Sequence, residues 1–261
     1  MQRRMEITKE IIDKDGKKKA VKVQTPAIGQ IIDQMEKRGM FNEMTRRPRP
    51  DYDIMTALEL VEAIGKRRNP RFEIDEENRF AYANFIRWCH CDPAMNSIDP
   101  ETGKAVRGNL RKGIYIAGNT GTGKSWCLDI MQMYCRVWGF KIAFPYEQTE
   151  AVLSWSGVRA DAICDVYTEK GTFAAYKTRP ILAIQDFGQE PQESLYMGNR
   201  IDVIRQLIEY RGDRADQLTL ITSNLKLGGQ KLLDRYGDRV ASRLHEMCNY
   251  FEIRGKDRRK I

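Results

Sequence analysis

Residues 118–125 read Gly-Asn-Thr-Gly-Thr-Gly-Lys-Ser, and this segment constrains the fold more than any other part of the chain. The run Gly113-Ile-Tyr-Ile-Ala117 directly before it has the length and β-branching of a buried strand. Three glycines allow the backbone to curl so that successive N–H groups point at one anion, and a side chain at those turns would obstruct the cradle. A strand, a glycine-rich loop and a helix in this order predict an α/β fold with a parallel sheet and flanking helices.

The residue types of this loop predict a binding site for ATP and Mg²⁺. Lys124 is placed to neutralise the β- and γ-phosphate oxygens, and Ser125 offers a hydroxyl to Mg²⁺. The helix that begins here adds the positive end of its dipole. The predicted nucleotide-binding residues are Gly118, Asn119, Thr120, Gly121, Thr122, Gly123, Lys124 and Ser125.

The formal net charge of +8 is concentrated near the start of the chain. Residues 1–50 carry 13 Lys and Arg against 7 Asp and Glu, whereas the remaining residues are close to neutral. A basic arm of this kind favours contact with nucleic acid or with an acidic protein surface, and a solvated run of charge is the equally weighted alternative. The sequence leaves both interpretations open.

Six cysteines lack the spacing of a disulfide framework or a zinc site, and we find no signal peptide or long apolar span. These features predict a cytoplasmic protein without a membrane partner. The triplet Cys89-His90-Cys91 has no second ligand pair, so we expect it to be structural and assign it no metal.

Periodicity divides the 261 residues into an N-terminal region, residues 1–72, and an ATP-binding domain that carries the glycine-rich loop, residues 73–261. The first region is predicted to be small and mainly helical, preceded by a hairpin around Asp15-Gly16. Its predicted helices run from Pro26 to a stop at Gly39 and from Ile54 to Lys66. In the second region we predict helices at 76–89, 124–138, 149–176 (as an insertion) and 199–211, and strands at 140–144, 180–186, 218–223 and 250–253.

Polar residues follow the predicted strands at the positions where a P-loop ATPase carries its chemistry. The strand Ile181-Leu-Ala-Ile-Gln-Asp-Phe-Gly188 occupies the Walker B position, and the next strand ends in Thr222-Ser223-Asn224. Arg239 and Arg243 then lie four residues apart, so they share one face of a predicted helix.

Taken together, residues from about Phe80 to Arg259 resemble the AAA+ ATPases of the DnaC-type helicase loaders and their relatives, the IstB-type transposition helpers. The most specific parts of the resemblance are the loop at 118–125, the Thr-Ser-Asn segment and the helix Gly-Asp-Arg-Val-x-x-Arg-Leu. The resemblance implies catalytic roles for Asp186, for Asn224 as sensor 1, for Arg243 or Arg239 as an arginine finger that reaches a neighbouring subunit, and for Arg259 as sensor 2.

An arginine finger implies a homo-oligomer with ATP sites between subunits. In this family, the segment between the second and third strands lines a pore and touches single-stranded DNA. The resemblance places that segment at about Thr149–Tyr176, and the residues available for stacking and phosphate contact are Trp155, Arg159, Tyr167, Lys170, Tyr176 and Lys177.

One position departs from the family pattern. Where the family has two successive acids, this chain has Gln185 followed by Asp186, so a neutral amide replaces the expected magnesium-side carboxylate. Asp186 then either polarises the attacking water or, after a one-residue shift, serves as the ligand of Mg²⁺. Both alternatives predict slow turnover that behaves as a switch.

The leading functional hypothesis is a loader that places a hexameric replicative helicase on single-stranded DNA. The resemblance implies that residues 1–72 are its partner-binding region and grip the helicase. The second is a transposition helper that binds duplex DNA and presents it to a transposase. The third is a nucleotide-gated adaptor with little hydrolysis, suggested by Gln185. Small-molecule kinases share the loop, but they lack the helix of Arg239 and Arg243 and rank last.

Overall fold

The structure is a computed structural model that describes residues 5–12, 18–25, 28–38, 40, 41, 43–144 and 147–258. The chain divides into two compact units. The smaller unit lies within residues 1–43 and 144–149, and the larger one lies within residues 44–143 and 150–261. The functional boundary predicted at residues 72 and 73 stays a prediction.

The smaller unit contains a hairpin and one helix. Strand β1 (Met5–Ile12) pairs antiparallel with β2 (Lys18–Thr25), with Met5 opposite Thr25, which confirms the predicted hairpin. Its turn at Asp15-Gly16 lies outside the described residues. Helix α1 (Ile28–Lys37) confirms the first predicted helix, and the predicted stop at Gly39 also lies outside the described residues.

The larger unit is built around a five-stranded parallel sheet. In chain order its elements are β3 (Thr45–Arg46), α2 (Ile54–Arg68), α3 (Arg79–His90), β4 (Asn96–Ile98), β5 (Ala105–Arg107), β6 (Gly113–Ala117), α4 (Lys124–Trp138), β7 (Lys141–Phe144), β8 (Thr149–Val152), β9 (Gly157–Arg159), α5 (Ala160–Lys170), α6 (Ala174–Lys177), β10 (Ile181–Phe187), β11 (Ser194–Tyr196), β12 (Asn199–Ile201), α7 (Val203–Gly212), β13 (Leu218–Ser223), α8 (Gln230–Met247) and β14 (Cys248–Glu252).

The order of the central sheet is β14-β6-β13-β10-β9, and every neighbouring pair is parallel. The strands β6 and β13 are buried along their whole length, because helices cover both faces of the sheet. The predicted α/β class with a parallel sheet and flanking helices is therefore confirmed.

Capping residues explain several helix boundaries. The Asp53 carboxylate accepts a hydrogen bond from the Thr56 N–H and begins α2, and the Asp202 carboxylate does the same for α7 through the Arg205 N–H. Gly139 adopts a left-handed conformation and ends α4, as predicted. Helices α2, α3 and α4 pack together beside the sheet.

Three predicted elements of this unit differ from the structure in part. The predicted strand at 140–144 is confirmed as β7, but it pairs with β3 outside the central sheet. The predicted helical insertion at 149–176 contains the strands β8 and β9 before α5 begins, and β9 forms the edge of the central sheet. Strands of three or four residues are too short for periodicity to reveal, and long-range pairing determines their place.

The predicted helix at 199–211 begins four residues later than expected. Asn199 belongs to β12, which pairs with β11 around Met197 and Gly198. Both turn residues have positive φ, of 46° and 86°, as expected for a two-residue turn of type I′. The Asp202 cap then begins α7 at Val203.

Candidate functional site

The loop that was predicted to bind phosphates joins β6 to α4. Gly118 donates its N–H to Ser223 O at 3.2 Å, and the Thr122 hydroxyl donates to Asn119 O at 3.0 Å. Gly121 has a φ of 82°, and a Cβ added there would collide with the carboxylate of Asp257. The loop therefore requires glycine at position 121 for its backbone conformation and for its close packing.

A cavity of about 360 Å³ opens in front of this loop. The loop and the start of α4 supply part of its lining, and other elements bring five more side chains to it. The lining residues are Thr120, Gly121, Gly123, Lys124, Ser125 and Trp126, together with Arg159, Asp186, Gln189, Asn224 and Arg258.

Lys124 is buried at the back of the cavity, with 7% of its surface exposed. Its ammonium donates to Asn119 O at 2.7 Å and to Asn224 Oδ1 at 2.8 Å. The Asn224 amide also donates to Thr120 Oγ1 at 3.3 Å, so the end of β13 is tied to the loop. A buried ammonium that also lines the cavity is placed to contact a phosphate group, because a phosphate oxygen is a strong acceptor for a charged donor.

Strand β10 contains a bulge that decides which of its two polar residues lines the cavity. Ile184 pairs with Ile221 and Phe187 pairs with Ser223, so β10 carries one residue more than β13 over this interval. Asp186 lies in the bulge with a φ of 55° and lines the cavity. A left-handed conformation is uncommon for a residue other than glycine, and it is most accessible to Asn and Asp.

Gln185 is not among the residues that line the cavity. Its amide donates to Asp129 Oδ1 on α4 at 3.4 Å, and it packs so closely over Gly157 that a Cβ there would collide with it. Gln185 therefore serves the packing of β10 against β9 and α4.

Arg159 ends β9 beside the bulge and lines the cavity. Its Nη1 donates to Asp186 Oδ2 at 2.9 Å, while its Nε and Nη2 donate to the Asp161 carboxylate at 3.0 and 2.8 Å. Asp161 raises the pKa of Arg159, and this ion pair lowers the pKa of Asp161. We predicted Arg159 to contact DNA, whereas the structure places it in the cavity because β9 joins the central sheet.

The C-terminal segment closes another side of the cavity. Arg258 lines it, donates its backbone N–H to Gly121 O at 2.9 Å and donates its side chain to both oxygens of Asp75 at 2.9 and 2.6 Å. Arg259, the predicted sensor 2 residue, lies outside the described residues. The sequence prediction named Arg259 and missed its neighbour Arg258. The two successive arginines were the signal that could have pointed to Arg258.

Sequence reasoning also missed Trp126 and Gln189 as lining residues. Trp126 directly follows Ser125, and its position in the first turn of α4 was the signal that could have found it. The guanidinium of Arg68 lies 5.4 Å from the centre of its ring.

Arg239 and Arg243 do not line the cavity of their own chain. Gly237 interrupts α8 with a φ of 79°, and both arginines lie in the helical segment after it. Arg239 pairs with Glu209 at 3.7 Å, and Arg243 pairs with Asp213 and Glu246. A role in a neighbouring subunit stays a prediction.

The aromatic residues predicted to stack on DNA belong to the core. Trp155 is buried, stacks on Phe85 and donates its ring N–H to Leu128 O. Tyr167 is buried as well, and Tyr176 is partly buried. Lys170 is exposed, and Lys177 lies over the Phe173 ring.

The triplet at 89–91 is structural. The ring nitrogens of His90 bind Arg49 O at 2.8 Å and Tyr134 Oη at 2.7 Å, and burial lowers the pKa of His90. No group of three His, Cys, Asp or Glu side chains in the described part of the chain could hold a metal ion. None of the described helices combines the length and the apolar character needed to cross a bilayer.

Ser125 and Asp186 nevertheless fit Mg²⁺ bound together with a nucleotide. Both line the same cavity, and a hydroxyl and a carboxylate are hard oxygen donors of the kind Mg²⁺ prefers. Such sites use only one or two protein oxygens, because phosphate and water supply the remaining ligands.

A scan against protein-family models and a search of curated proteins found no match. Among solved structures, the chain is similar to the DnaC helicase loader, with 18% identity and a TM-score of 0.45 over 71% of this chain and 94% of that one. A candidate primosome component from Streptococcus pyogenes serotype M3 gives 18% identity and a TM-score of 0.44 over 70% and 83% of the two chains.

AMPPCP-bound DnaA from Aquifex aeolicus gives 19% identity and a TM-score of 0.44 over 70% of this chain. The match covers 48% of the DnaA chain, so this chain spans about half of that protein. At TM-scores of 0.44 and 0.45, these similarities leave the family, the ligand and the partner of this chain as matters for proposal.

Proposed function

We propose that this chain is a Mg²⁺-dependent, ATP-binding AAA+ protein that acts as a slow switch and loads a hexameric replicative helicase onto single-stranded DNA. The observation that carries the nucleotide-binding part is the buried Lys124 ammonium, held by Asn119 and Asn224 at the back of a cavity that Asp186 also lines. An ATPase site needs a cation for the phosphates, an oxygen set for the metal and a polar group beside the γ-phosphate.

Each group has a role in this proposal. Ser125 and Asp186 would hold Mg²⁺, and the metal would supply positive charge to the phosphates of the nucleotide. Lys124 contacts the same phosphate oxygens, and the N–H groups of the loop surround the phosphate chain. Asn224 already binds Lys124, so it connects the end of β13 to the state of the nucleotide.

The bulge in β10 supports the alternative in which Asp186 serves the metal. The extra residue turns Asp186 into the cavity, while Gln185 binds Asp129 on α4. This assignment leaves Phe187, which has no carboxylate, at the next position of β10, where the second acid would polarise the attacking water, so we expect binding with slow hydrolysis. Rapid steady-state turnover would contradict the assignment.

The helicase-gripping role falls to the smaller unit. Three isoleucines of α1 at helical spacing are exposed, with Ile28 at 73% and both Ile31 and Ile32 at 41%. An exposed apolar stripe on an amphipathic helix is typical of a surface that a partner covers. The basic character of residues 1–50 would add attraction to an acidic partner or to DNA.

Contact with single-stranded DNA falls to exposed basic residues. Lys170 at the end of α5 is exposed, whereas Trp155 and Tyr167 are committed to the core. We therefore propose electrostatic contact with phosphates rather than stacking on bases. The working form is a homo-oligomer in which Arg239 or Arg243 reaches the ATP of a neighbouring subunit, and the six free thiols agree with action in the cytoplasm.

The test separates nucleotide binding from loading. ATP binding is measured by calorimetry for the wild type and for Lys124→Ala, which should lose at least about a hundredfold in affinity. Size-exclusion chromatography with light scattering then follows mixtures with the replicative helicase of the same host, in ATP and in ADP. A defined complex that depends on the nucleotide supports the loader.

Two other outcomes identify the alternatives. Binding of ATP without a helicase complex, together with filaments on duplex DNA, supports the transposition helper. A helicase complex without measurable hydrolysis, even when DNA is present, supports the nucleotide-gated adaptor. Absence of ATP binding in the wild type would overturn the proposed function as a whole.

A further inference from the structure

Arg159 and the proposed metal site compete for one carboxylate. The Arg159 Nη1 lies 2.9 Å from Asp186 Oδ2, and both residues line the nucleotide cavity. The same carboxylate is the oxygen ligand that we assign to Mg²⁺. If Asp186 served as a ligand of Mg²⁺, the Arg159 Nη1 would lose this acceptor, and Arg159 would still line the cavity.

Asp161 keeps the guanidinium in place when that exchange occurs. It accepts hydrogen bonds from Nε at 3.0 Å and from Nη2 at 2.8 Å, which is the two-point geometry of a guanidinium and a carboxylate. The Asp161 backbone is also anchored, because it lies in the first turn of α5. The two hydrogen bonds to Asp161 therefore hold the Nε and Nη2 atoms of Arg159 in place. Nη1 is left as the donor that can change its partner.

The second arginine of the cavity is differently placed. Arg258 donates its Nη2 to both oxygens of Asp75, and Asp75 does not line the cavity. The Arg258 side chain is only 15% exposed. Arg159 is 56% exposed and holds a carboxylate inside the cavity. Binding of a metal nucleotide would thus alter the partners of Arg159 and leave the Arg258 pair intact.

We propose that Arg159 recognises the γ-phosphate of ATP within its own subunit, by exchanging Asp186 for a phosphate oxygen while Asp161 holds its guanidinium. The inference rests on the proposed nucleotide site. It makes Arg159 the residue that distinguishes ATP from ADP, and it makes Asp161 a positioning residue. The Arg159 guanidinium exchanges one anionic partner, the Asp186 carboxylate, for another, a phosphate oxygen, and no covalent bond changes.

Removal of Arg159 should affect the two nucleotides differently. Loss of a charge-assisted hydrogen bond from a partly exposed donor should weaken ATP binding about tenfold. ADP binding should stay the same or become tighter, because Asp186 is then released for the metal. An arginine that only stabilised the local fold would weaken the binding of both nucleotides in parallel.

The experiment measures calorimetric dissociation constants for Mg²⁺ with ADP and with the non-hydrolysable β,γ-methylene analogue of ATP. The variants are Arg159→Ala, Arg159→Lys and Asp161→Asn. Arg200→Ala is the matched control, since Arg200 is an exposed arginine that pairs with Glu193 at 4.0 Å outside the cavity. Circular dichroism and thermal unfolding check that each variant is folded.

The expected result is a loss of ATP preference of about tenfold in Arg159→Ala, an intermediate loss in Asp161→Asn and no change in Arg200→Ala. Arg159→Lys keeps the charge without the fork, so it should recover part of the preference. An unchanged ratio of ATP to ADP affinity in folded Arg159→Ala overturns the inference while the proposed function stands. Failure of the wild type to bind either nucleotide refutes the proposed function itself.

Discussion

Glu190 anchors the loop that follows Asp186, and its replacement by glutamine should destabilise the larger unit. The Glu190 side chain is fully buried and pairs with Arg235 at 2.9 Å. It also accepts hydrogen bonds from the Gly188 N–H at 2.8 Å and from the Tyr236 hydroxyl. Burial and the charge of Glu190 raise the pKa of Tyr236 far above its ordinary value, so the phenol stays a donor.

The geometry sets the size of the effect. Breaking a buried ion pair by removing one partner costs about 3–5 kcal/mol. The cost is smaller here because Arg235 keeps Asp202 at 3.2 Å and because glutamine preserves the shape and one acceptor oxygen. We expect Glu190→Gln to lower the free energy of unfolding by about 2 kcal/mol, which corresponds to a fall in Tm of about 4–8 °C for a domain of this size.

Urea unfolding followed by circular dichroism measures this change. Glu193→Gln is the matched control, because Glu193 is 58% exposed and its pair with Arg200 spans 4.0 Å. The control should stay within about 0.5 kcal/mol of the wild type. In an Arg235→Met background the effect of Glu190→Gln should fall below about 1 kcal/mol, since the pair is already broken. A Glu190→Gln variant as stable as the control would refute the argument that this network holds the loop.

Three further predictions follow from single side chains. Because Trp126 lines the cavity, binding of ADP should change the tryptophan fluorescence of the wild type, and Trp126→Phe should abolish that change while calorimetry still detects binding. Burial lowers the pKa of His90, so the unfolded state binds a proton on this histidine more readily than the folded state does. The free energy of unfolding should therefore fall as the pH drops below the ordinary histidine pKa of about 6.5. Urea unfolding at several pH values should show a shallower fall in His90→Gln than in the wild type or in the control variant His245→Gln. A Cβ at Gly65 would collide with the buried ring of Phe72. Gly65→Ala should therefore lower the free energy of unfolding in urea by about 1–3 kcal/mol, although alanine has the higher helix propensity.

The sequence was sufficient to predict those elements whose local signals agree with their tertiary surroundings. The apolar run before Gly118 and the run ending at Ser223 were predicted as strands, and both are buried strands of the central sheet. The loop at residues 118–125 contains three glycines and a lysine within eight residues, so its shape is largely a local property. Lys124 and Ser125 both line the cavity, and their predicted contacts with ATP and Mg²⁺ stay predictions.

The sequence was insufficient where the site depends on pairing between distant segments. The bulge at Asp186 exists because β10 and β13 differ by one residue between two aligned pairs, and no local pattern encodes that difference. Arg159 enters the cavity because a three-residue strand aligns with Gln185 at the sheet edge. Periodicity over so short a segment carries no signal, so the arginine was assigned to DNA instead.

The positions of these residues also connect the proposed nucleotide site to the helix that carries the predicted arginine fingers. Arg159 holds Asp186 from the β9 side, and Glu190, four residues further on, binds Arg235 on α8. An exchange of partners at Asp186 would therefore pull on a loop whose other end is anchored to α8. Gly237 interrupts α8 between Arg235 and Arg239. The conformation at Gly237 would therefore determine whether a displacement of Arg235 reaches Arg239. A substitution that straightened α8 at this glycine should alter assembly in ATP while leaving nucleotide affinity in the isolated chain unchanged.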